Sequence, residues 1–156
     1  MSHRFLLALL ALSFAAGCKE PRLVVNDPNW VAPPDVHVEA DRITIDRHIN
    51  FETDSDVILT ESNELLDNIA DTIQHHPEIT ALKVVGHTDA VGGPVHNQDL
   101  SDRRAAAVVG ALEARGVSIA LESVGKGETE PLCQDDTEAC HAQNRRVEFL
   151  IVGSQG

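Results

Sequence analysis

An acidic and a basic side chain in the middle of this 156-residue chain could together hold a zwitterionic ligand. Asp89 follows a short apolar segment, and open α/β sheets commonly place ligand crevices at such strand ends. Arg104 shares a predicted helical face with Asn97 and Val108 that should turn toward the sheet, where an unpaired ion is costly. Asp89 would take an ammonium, and Arg104 would bind a carboxylate bidentately. A direct Asp89–Arg104 ion pair without ligand is the alternative.

The elements that must position these side chains alternate between strand and helix periodicity. Asn97 is predicted to cap a second helix, which ends before Gly116. The predicted apolar helix faces are Ile58, Leu65, Leu66, Ile69 and Ile73, then Ala105, Val108, Val109 and Leu112. Strands are predicted at residues 42–46 with 49–51, 79–85, 119–124 and 146–152, with an irregular segment at 125–143. This order predicts an α/β sandwich: a small, mixed four-stranded sheet with two helices packed on one face.

Three polar motifs follow one another in a characteristic order across residues 38–152. They are Gly86-His87-Thr88-Asp89, then Asn97 with Leu100-Ser101-Asp102-Arg103-Arg104-Ala105, then Asn144-Arg145-Arg146-Val147-Glu148. Together they resemble the OmpA-like peptidoglycan-binding domain family, and this resemblance implies the same fold. It also implies that Asp89 and Arg104 hold the free end of meso-diaminopimelate in the peptidoglycan stem peptide.

The resemblance implies further residues around the same pocket. Asn97 matches an asparagine of the family pattern, while Thr88 and Asp54 fall at pocket-lining positions. Arg145 and Arg146 are interpreted as mainly structural, bonding acids or carbonyls near the site. Arg103, next to Arg104 on the predicted helix, should point away as a surface residue.

Residues 1–17 are predicted to form a secretory signal, with a basic start and an apolar run at 5–12. That run is too short to span a bilayer, which needs about 20 apolar residues. Ala15-Ala16-Gly17-Cys18 resembles the lipobox of bacterial lipoproteins, and the resemblance implies lipidation of Cys18. Lys19 follows the cysteine in place of the Asp that resembles an inner-membrane retention signal, so the outer membrane is favoured. An ordinary signal peptide with an incidental cysteine is the alternative.

The remaining chain is predicted to divide into a tether and one domain. Residues 18–38 comprise the lipidated N-terminus and a proline-rich spacer, and residues 39–153 form the OmpA-like domain. The net charge of −13 argues against nucleic acid or anionic lipid as a main partner. Contact with the outer membrane would therefore come through the lipid on Cys18.

Two further cysteines lie close together in the chain. Cys133 and Cys140 are predicted to form a disulfide, because exported proteins meet an oxidising compartment. The alternative is a metal site with His141, although two thiols and one imidazole make a poor zinc set.

The motifs indicate a binding protein and not an enzyme. Neither the metalloprotease pattern H-E-x-x-H nor the serine-hydrolase pattern G-x-S-x-G occurs in the chain, so no catalytic residue, metal or cofactor is predicted. The expected function is that of an outer-membrane lipoprotein, facing the periplasm, that binds peptidoglycan and anchors the membrane to the wall. One alternative is a structural component of an envelope complex, with Tol-like, secretion or motility proteins as partners. Another is a wall hydrolase.

Overall fold

The computed structural model describes residues 27–155, whose strands form one mixed sheet. The elements in chain order are β1 (Val36–Val38), β2 (Arg42–Ile45), a 3₁₀ turn (Thr60–Ser62), α1 (Asn63–His75), β3 (Ile79–Gly86), α2 (Pro94–Ala114), β4 (Ala120–Gly125), α3 (Glu138–Asn144) and β5 (Val147–Ser154). The strand order is β1-β2-β5-β3-β4, with β3 and β4 parallel and the other pairs antiparallel. The predicted α/β class is confirmed. The predicted signal segment and Cys18 lie outside the described residues.

The sheet has five strands, not the four predicted. The additional strand, β1, lies within the predicted tether and pairs with β2, placing Val36 opposite Ile45. Val36 is buried, so this segment joins the core although Pro33 and Pro34 precede it. A three-residue strand is too short to show a convincing alternation in sequence. The sheet therefore begins before residue 39.

Only the first part of the predicted first strand belongs to the sheet. Phe51 instead forms an isolated bridge with Ile58, and between them the Glu52 N–H donates to the Val57 carbonyl oxygen at 2.9 Å. Asp54 lies in this loop with a positive φ of 54°, a conformation that Asp adopts more readily than most residues. The chain turns back here because these local hydrogen bonds replace pairing within the sheet.

Helices α1 and α2 bury their apolar faces against one face of the sheet. Ile43, Phe149 and Val84 lie side by side in register on that face and are all buried. The buried apolar helix residues include Leu65, Leu66, Ile69 and Ile73 of α1 and Ala105, Val108 and Leu112 of α2. Full burial of one large aliphatic side chain contributes about 1.5–3 kcal/mol. The predicted packing of two helices on one face is confirmed.

Helix α2 begins at Pro94, earlier than predicted. Gly93 is its N-cap, and Pro94 lies in the first turn, where a missing N–H has no cost and a fixed φ suits the helix. Asn97 is therefore a buried interior residue, and the prediction that it caps the helix was wrong. The C-terminal end agrees with expectation, since Gly116 follows the helix with a φ of 87°.

The segment predicted to be irregular contains the short helix α3. The Thr137 hydroxyl caps it by accepting the Cys140 N–H at 3.3 Å, and Cys133 and Cys140 form the predicted disulfide. The Asn144 side chain accepts the Leu132 N–H at 2.8 Å and donates to the Cys133 carbonyl oxygen at 2.8 Å. These contacts fold residues 132–144 into an ordered unit.

Across residues 27–155, every helix falls short of the length and apolar character that crossing a membrane requires.

Candidate functional site

A cavity of about 710 Å³ opens at the end of the sheet where β3 ends and β5 begins. Its walls include the loop after β2, the first half of α2, and α3. All the residues that sequence analysis assigned to the pocket or its surroundings line this crevice: Asp54, Thr88, Asp89, Asn97, Arg104, Arg145 and Arg146. The fold therefore brings side chains from distant parts of the chain to one place.

Two glycines let α2 lie directly against the end of the sheet. A Cβ on Gly86 would collide with the backbone carbonyl of Ser101, and one on Gly125 would collide with the backbone of Asp102. Glycine is required where two backbones approach this closely. The approach holds the part of α2 that carries Arg104 beside the end of β3.

Asp89 is 8% exposed, and both of its carboxylate oxygens accept hydrogen bonds. The Val91 N–H donates to Oδ1 at 3.1 Å, and Arg145 Nη1 donates to Oδ2 at 2.7 Å. Arg145 also bonds Glu138, and these two carboxylates raise the pKa of its guanidinium, Glu138 having the larger effect. Asp89 is therefore paired with Arg145, and not with Arg104 as the ligand-free alternative predicted.

Arg104 has a different environment from every other arginine at the crevice. Its Nε donates to the Ser55 carbonyl oxygen at 2.8 Å, and its guanidinium lies 4.9 Å from the centre of the Phe51 ring. Burial lowers the pKa of this guanidinium, although arginine stays protonated in proteins. Within residues 27–155 its hydrogen bonds go to backbone oxygens, none to a carboxylate. The charges of Asp54 and Asp89 oppose the effect of burial, so Arg104 is a partly desolvated cation that lies near carboxylates but, within residues 27–155, hydrogen-bonds none of them.

Arg103 points away from the crevice, as predicted from helical phasing. Its guanidinium bonds Asp56 at 2.5 Å and Asp99 at 2.9 Å. Both partners are exposed carboxylates, so the charge of Arg103 is balanced at the surface. Adjacent arginines on one helix therefore differ in whether a carboxylate balances them.

Asn97 and Thr88 lie on the floor of the crevice. Asn97 is 1% exposed, and its Nδ2 donates to the Asp89 carbonyl oxygen at 3.3 Å and to Glu128 Oε2 at 2.5 Å. Both amide hydrogens are used, so Asn97 braces the turn that carries Asp89. The Thr88 N–H donates to the Gly127 carbonyl oxygen at 2.9 Å, whereas its buried hydroxyl has no hydrogen-bond partner in the described part of the chain.

Asp54 lies at the mouth of the crevice and is exposed. Its Oδ1 lies 2.7 Å from His96 Nε2, on the first turn of α2. This contact links the loop after β2 to α2 across the opening. His96 was not among the residues assigned to the site.

His87 and Arg146 adjoin the crevice on the strand ends. Arg146 Nε donates to Glu148 Oε1 at 2.7 Å, and the same oxygen lies 3.7 Å from His87 Nε2. Neither ring nitrogen of His87 has a hydrogen-bond partner in residues 27–155. Burial, and then the charge of Arg146, lower the pKa of His87. His87 is consequently neutral at physiological pH.

Sequence reasoning missed the contribution of α3, which lines the crevice with Glu138, His141 and Ala142. A detectable signal was present, because Thr137 followed by Glu138 is typical of a helix N-terminus. The metal alternative with His141 was wrong, since its two cysteines are joined to each other. Across residues 27–155 no group of three or more His, Cys, Asp or Glu side chains is placed to hold a metal ion.

Comparison with known proteins places this architecture in a family. The family model described as OmpA family matches residues 50–145. Outer membrane porin F of Pseudomonas fluorescens is 37% identical over 110 residues, which cover 70% of this chain but only 33% of the porin. The chain thus spans about a third of that relative.

Two solved structures extend the comparison to the fold. The peptidoglycan-associated lipoprotein from Burkholderia pseudomallei is 30% identical, covers 67% of this chain and 86% of its own, and has a TM-score of 0.57. The cell wall anchor of the T6SS from Pseudomonas aeruginosa is 28% identical, covers 86% of this chain and 99% of its own, and has a TM-score of 0.63. With more than half of its residues matched by the family model, this chain belongs to the OmpA family.

Proposed function

We propose that this chain binds peptidoglycan non-covalently, holding the zwitterionic free end of meso-diaminopimelate in the crevice. The observation that carries the proposal is the environment of Arg104. Its guanidinium lines the cavity, is partly desolvated and, within residues 27–155, hydrogen-bonds no carboxylate. A partly desolvated cation with no carboxylate bonded to it is costly, and a ligand carboxylate would relieve that cost. Arginine is well suited to this role because its planar fork binds a carboxylate bidentately.

The same crevice offers acceptors for an ammonium. The oxygens of Asp89 are oriented by Val91 and Arg145, and a carboxylate has spare lone pairs beyond those two hydrogen bonds. The Thr88 hydroxyl, unpartnered within residues 27–155, is a further polar group for the ligand. Asn97 and Asp54 would act around this core, Asn97 by bracing the Asp89 turn and Asp54 at the mouth.

The relatives support a role at the cell wall. One similar structure is named a peptidoglycan-associated lipoprotein and another a cell wall anchor. The porin relative is named as an outer-membrane protein. With the lipobox at Cys18, these similarities support an outer-membrane lipoprotein whose domain faces the periplasm and anchors the membrane to the wall.

A second candidate is a structural component of an envelope machine, in which protein contacts dominate. The similarity to the cell wall anchor of the T6SS, which spans 86% of this chain, favours this alternative specifically. Such a protein would still use the crevice for the wall. Pulldown from envelope extracts with and without purified wall separates a wall-dependent role from a direct protein partner.

The proposed function is tested by sedimentation with purified wall containing diaminopimelate. Asp89→Ala and Arg104→Ala should each remove the protein from the pellet. Each substitution leaves one charge of the bound zwitterion without its partner. Such a loss typically costs about 2–5 kcal/mol, or about 30-fold to several thousand-fold in affinity. Arg103→Ala is the matched control and should sediment like wild type.

Two outcomes would contradict this proposal. Equal losses for Arg103→Ala and Arg104→Ala would show that general charge attraction, not the crevice, binds the wall. Release of soluble muropeptides during the incubation would instead favour the hydrolase alternative.

A further inference from the structure

Glu138 is a crevice residue that belongs to none of the three sequence motifs. It opens α3, lines the cavity, and its Oε1 lies 2.5 Å from Arg145 Nη2. The other terminal nitrogen of Arg145 donates to Asp89 Oδ2 at 2.7 Å. The three side chains are therefore linked by ion pairs in the order Glu138, Arg145, Asp89, and the last of them lies inside the crevice.

This arrangement contributes to the negative charge that the crevice presents beside Asp89. Asp89 and Arg145 alone would be a neutral pair, and Arg145 would repel an ammonium that Asp89 attracts. Glu138 adds a second carboxylate to the same guanidinium, so the three groups together carry one negative charge. Arg145 can then orient Asp89 without cancelling its attraction for a cation.

The position of Glu138 depends on an ordered element and not on a loose loop. Thr137 caps α3, the Cys133–Cys140 disulfide closes the segment, and Asn144 bonds the backbone at Cys133. The Glu138 side chain is 78% exposed, so its role is electrostatic and it adds little to packing.

We propose that Glu138 is a specificity-determining residue, which keeps the crevice selective for ligands that carry an ammonium beside the carboxylate. Arg145 is the positioning residue through which it acts. This inference rests on the proposed function, because it assumes that the crevice binds the diaminopimelate zwitterion.

Calorimetric titration with two stem tripeptides tests the inference. One ends in meso-diaminopimelate, and the other ends in 2-aminopimelate, which keeps the terminal carboxylate but lacks the ammonium. Glu138→Gln should weaken binding of the first by roughly two- to fivefold, the range of an exposed charge pair. Binding of the second should stay the same or become slightly tighter, because the removed carboxylate attracts only the ammonium and repels the ligand carboxylate. Asp135→Asn is the matched control, because it removes one carboxylate from the same disulfide-closed segment and should change neither affinity.

The effect should require Arg145. In an Arg145→Gln background, Glu138→Gln should no longer change the preference between the two tripeptides, because the residue through which it acts is gone. Thermal melting of each variant checks that α3 and the domain remain folded.

Each result is decisive. Equal weakening of both tripeptides would mean a structural effect on α3, and no change or tighter binding of the diaminopimelate tripeptide would mean that Glu138 does not set the charge. Any of these results overturns the inference about Glu138. If wild type still binds the diaminopimelate tripeptide, the proposed function is not affected. Failure of wild type to bind either tripeptide would overturn both.

Discussion

At the scale of single residues, the arginines in and beside the crevice differ in whether they hydrogen-bond a carboxylate. Arg103 and Arg104 are adjacent in sequence, yet Arg103 bonds two carboxylates and Arg104 bonds backbone oxygens. Helical phase accounts for the difference, since neighbouring positions point about 100° apart on an α-helix. The residue proposed to bind the ligand is thus the one that hydrogen-bonds no carboxylate within residues 27–155.

His87 should make the stability of the domain depend on pH. Burial and the charge of Arg146 hold its pKa below the ordinary value, so the folded state binds fewer protons than the unfolded state once pH falls below about 6.5. Stability is therefore fully present above that pH and is lost as pH falls toward the folded pKa, by at most about 1.4 kcal/mol per pH unit. Glu148 and Glu130 oppose the shift, and Lys126 adds to it.

Denaturant unfolding between pH 7.5 and 5 measures this dependence. His87→Gln removes the titrating ring and should flatten the profile across that window, whatever its effect at neutral pH. His48→Gln is the control and should retain the wild-type slope. Parallel profiles for wild type and His87→Gln would mean that other groups cause the dependence.

At the scale of elements, α2 is held against the sheet at positions where only glycine fits. Gly86→Ala would place a Cβ against the Ser101 carbonyl and force α2 away from β3. Overpacking of this kind typically costs about 1–3 kcal/mol, and we expect that loss in the free energy of unfolding. Gly110→Ala, in the same helix with no atom near the added Cβ, should stabilise by about 0.5–1 kcal/mol. Similar effects from both would refute the close-approach explanation.

The disulfide should stabilise the segment that carries α3. A loop as short as the one between Cys133 and Cys140 contributes about 2.5 kcal/mol on the chain-entropy model, which corresponds to several degrees in Tm for a domain of this size. We expect reduction to lower the Tm by that amount and a chelator to leave it unchanged. Reactive thiols at both Cys133 and Cys140 in the oxidised, unfolded protein would show that the bridge does not form.

Some elements could be predicted from sequence and others could not, for identifiable reasons. The apolar period of α1 is a strong signal, and α1 occurs where it was expected. The apolar residues predicted for α2 also lie in a helix, although that helix begins earlier than predicted. Strand β1 is too short to show a period, and α3 has only seven residues and lies in a largely polar segment. The start of α2 was misplaced because Asn97 has the residue type of a cap but is buried inside the helix.

At the scale of the whole molecule, the crevice and Trp30 lie toward opposite ends of α1. The start of α1 is near the crevice, where Ser62 Oγ accepts the N–H of the cavity residue Asn50. Its other end contacts Trp30, whose ring stacks on His75 and whose Nε1 donates to Asp71 at 2.7 Å. A tether that approaches Trp30 would thus join the domain away from the crevice.

The composition of the site could be predicted only in part. Asp89 and Arg104 were identified because each is an ionisable residue at an informative position, a strand end and a packing face. The partner of Asp89 could not be predicted, because Arg145 reaches it only through the placement of β5 beside β3. Glu138 was missed for a related reason, since its role requires both that placement and the fold of residues 132–144.

The central claim is that Arg104 binds a ligand carboxylate, and one titration tests it most directly. Calorimetry would compare the stem tripeptide ending in meso-diaminopimelate with the one ending in L-lysine, which keeps the ammonium but lacks the carboxylate. We predict that wild type binds the lysine tripeptide at least about 30-fold more weakly, and that Arg104→Ala binds the diaminopimelate tripeptide with a comparable loss. Equal affinity of wild type for the two tripeptides, or wild-type affinity of Arg104→Ala for diaminopimelate, would contradict the claim.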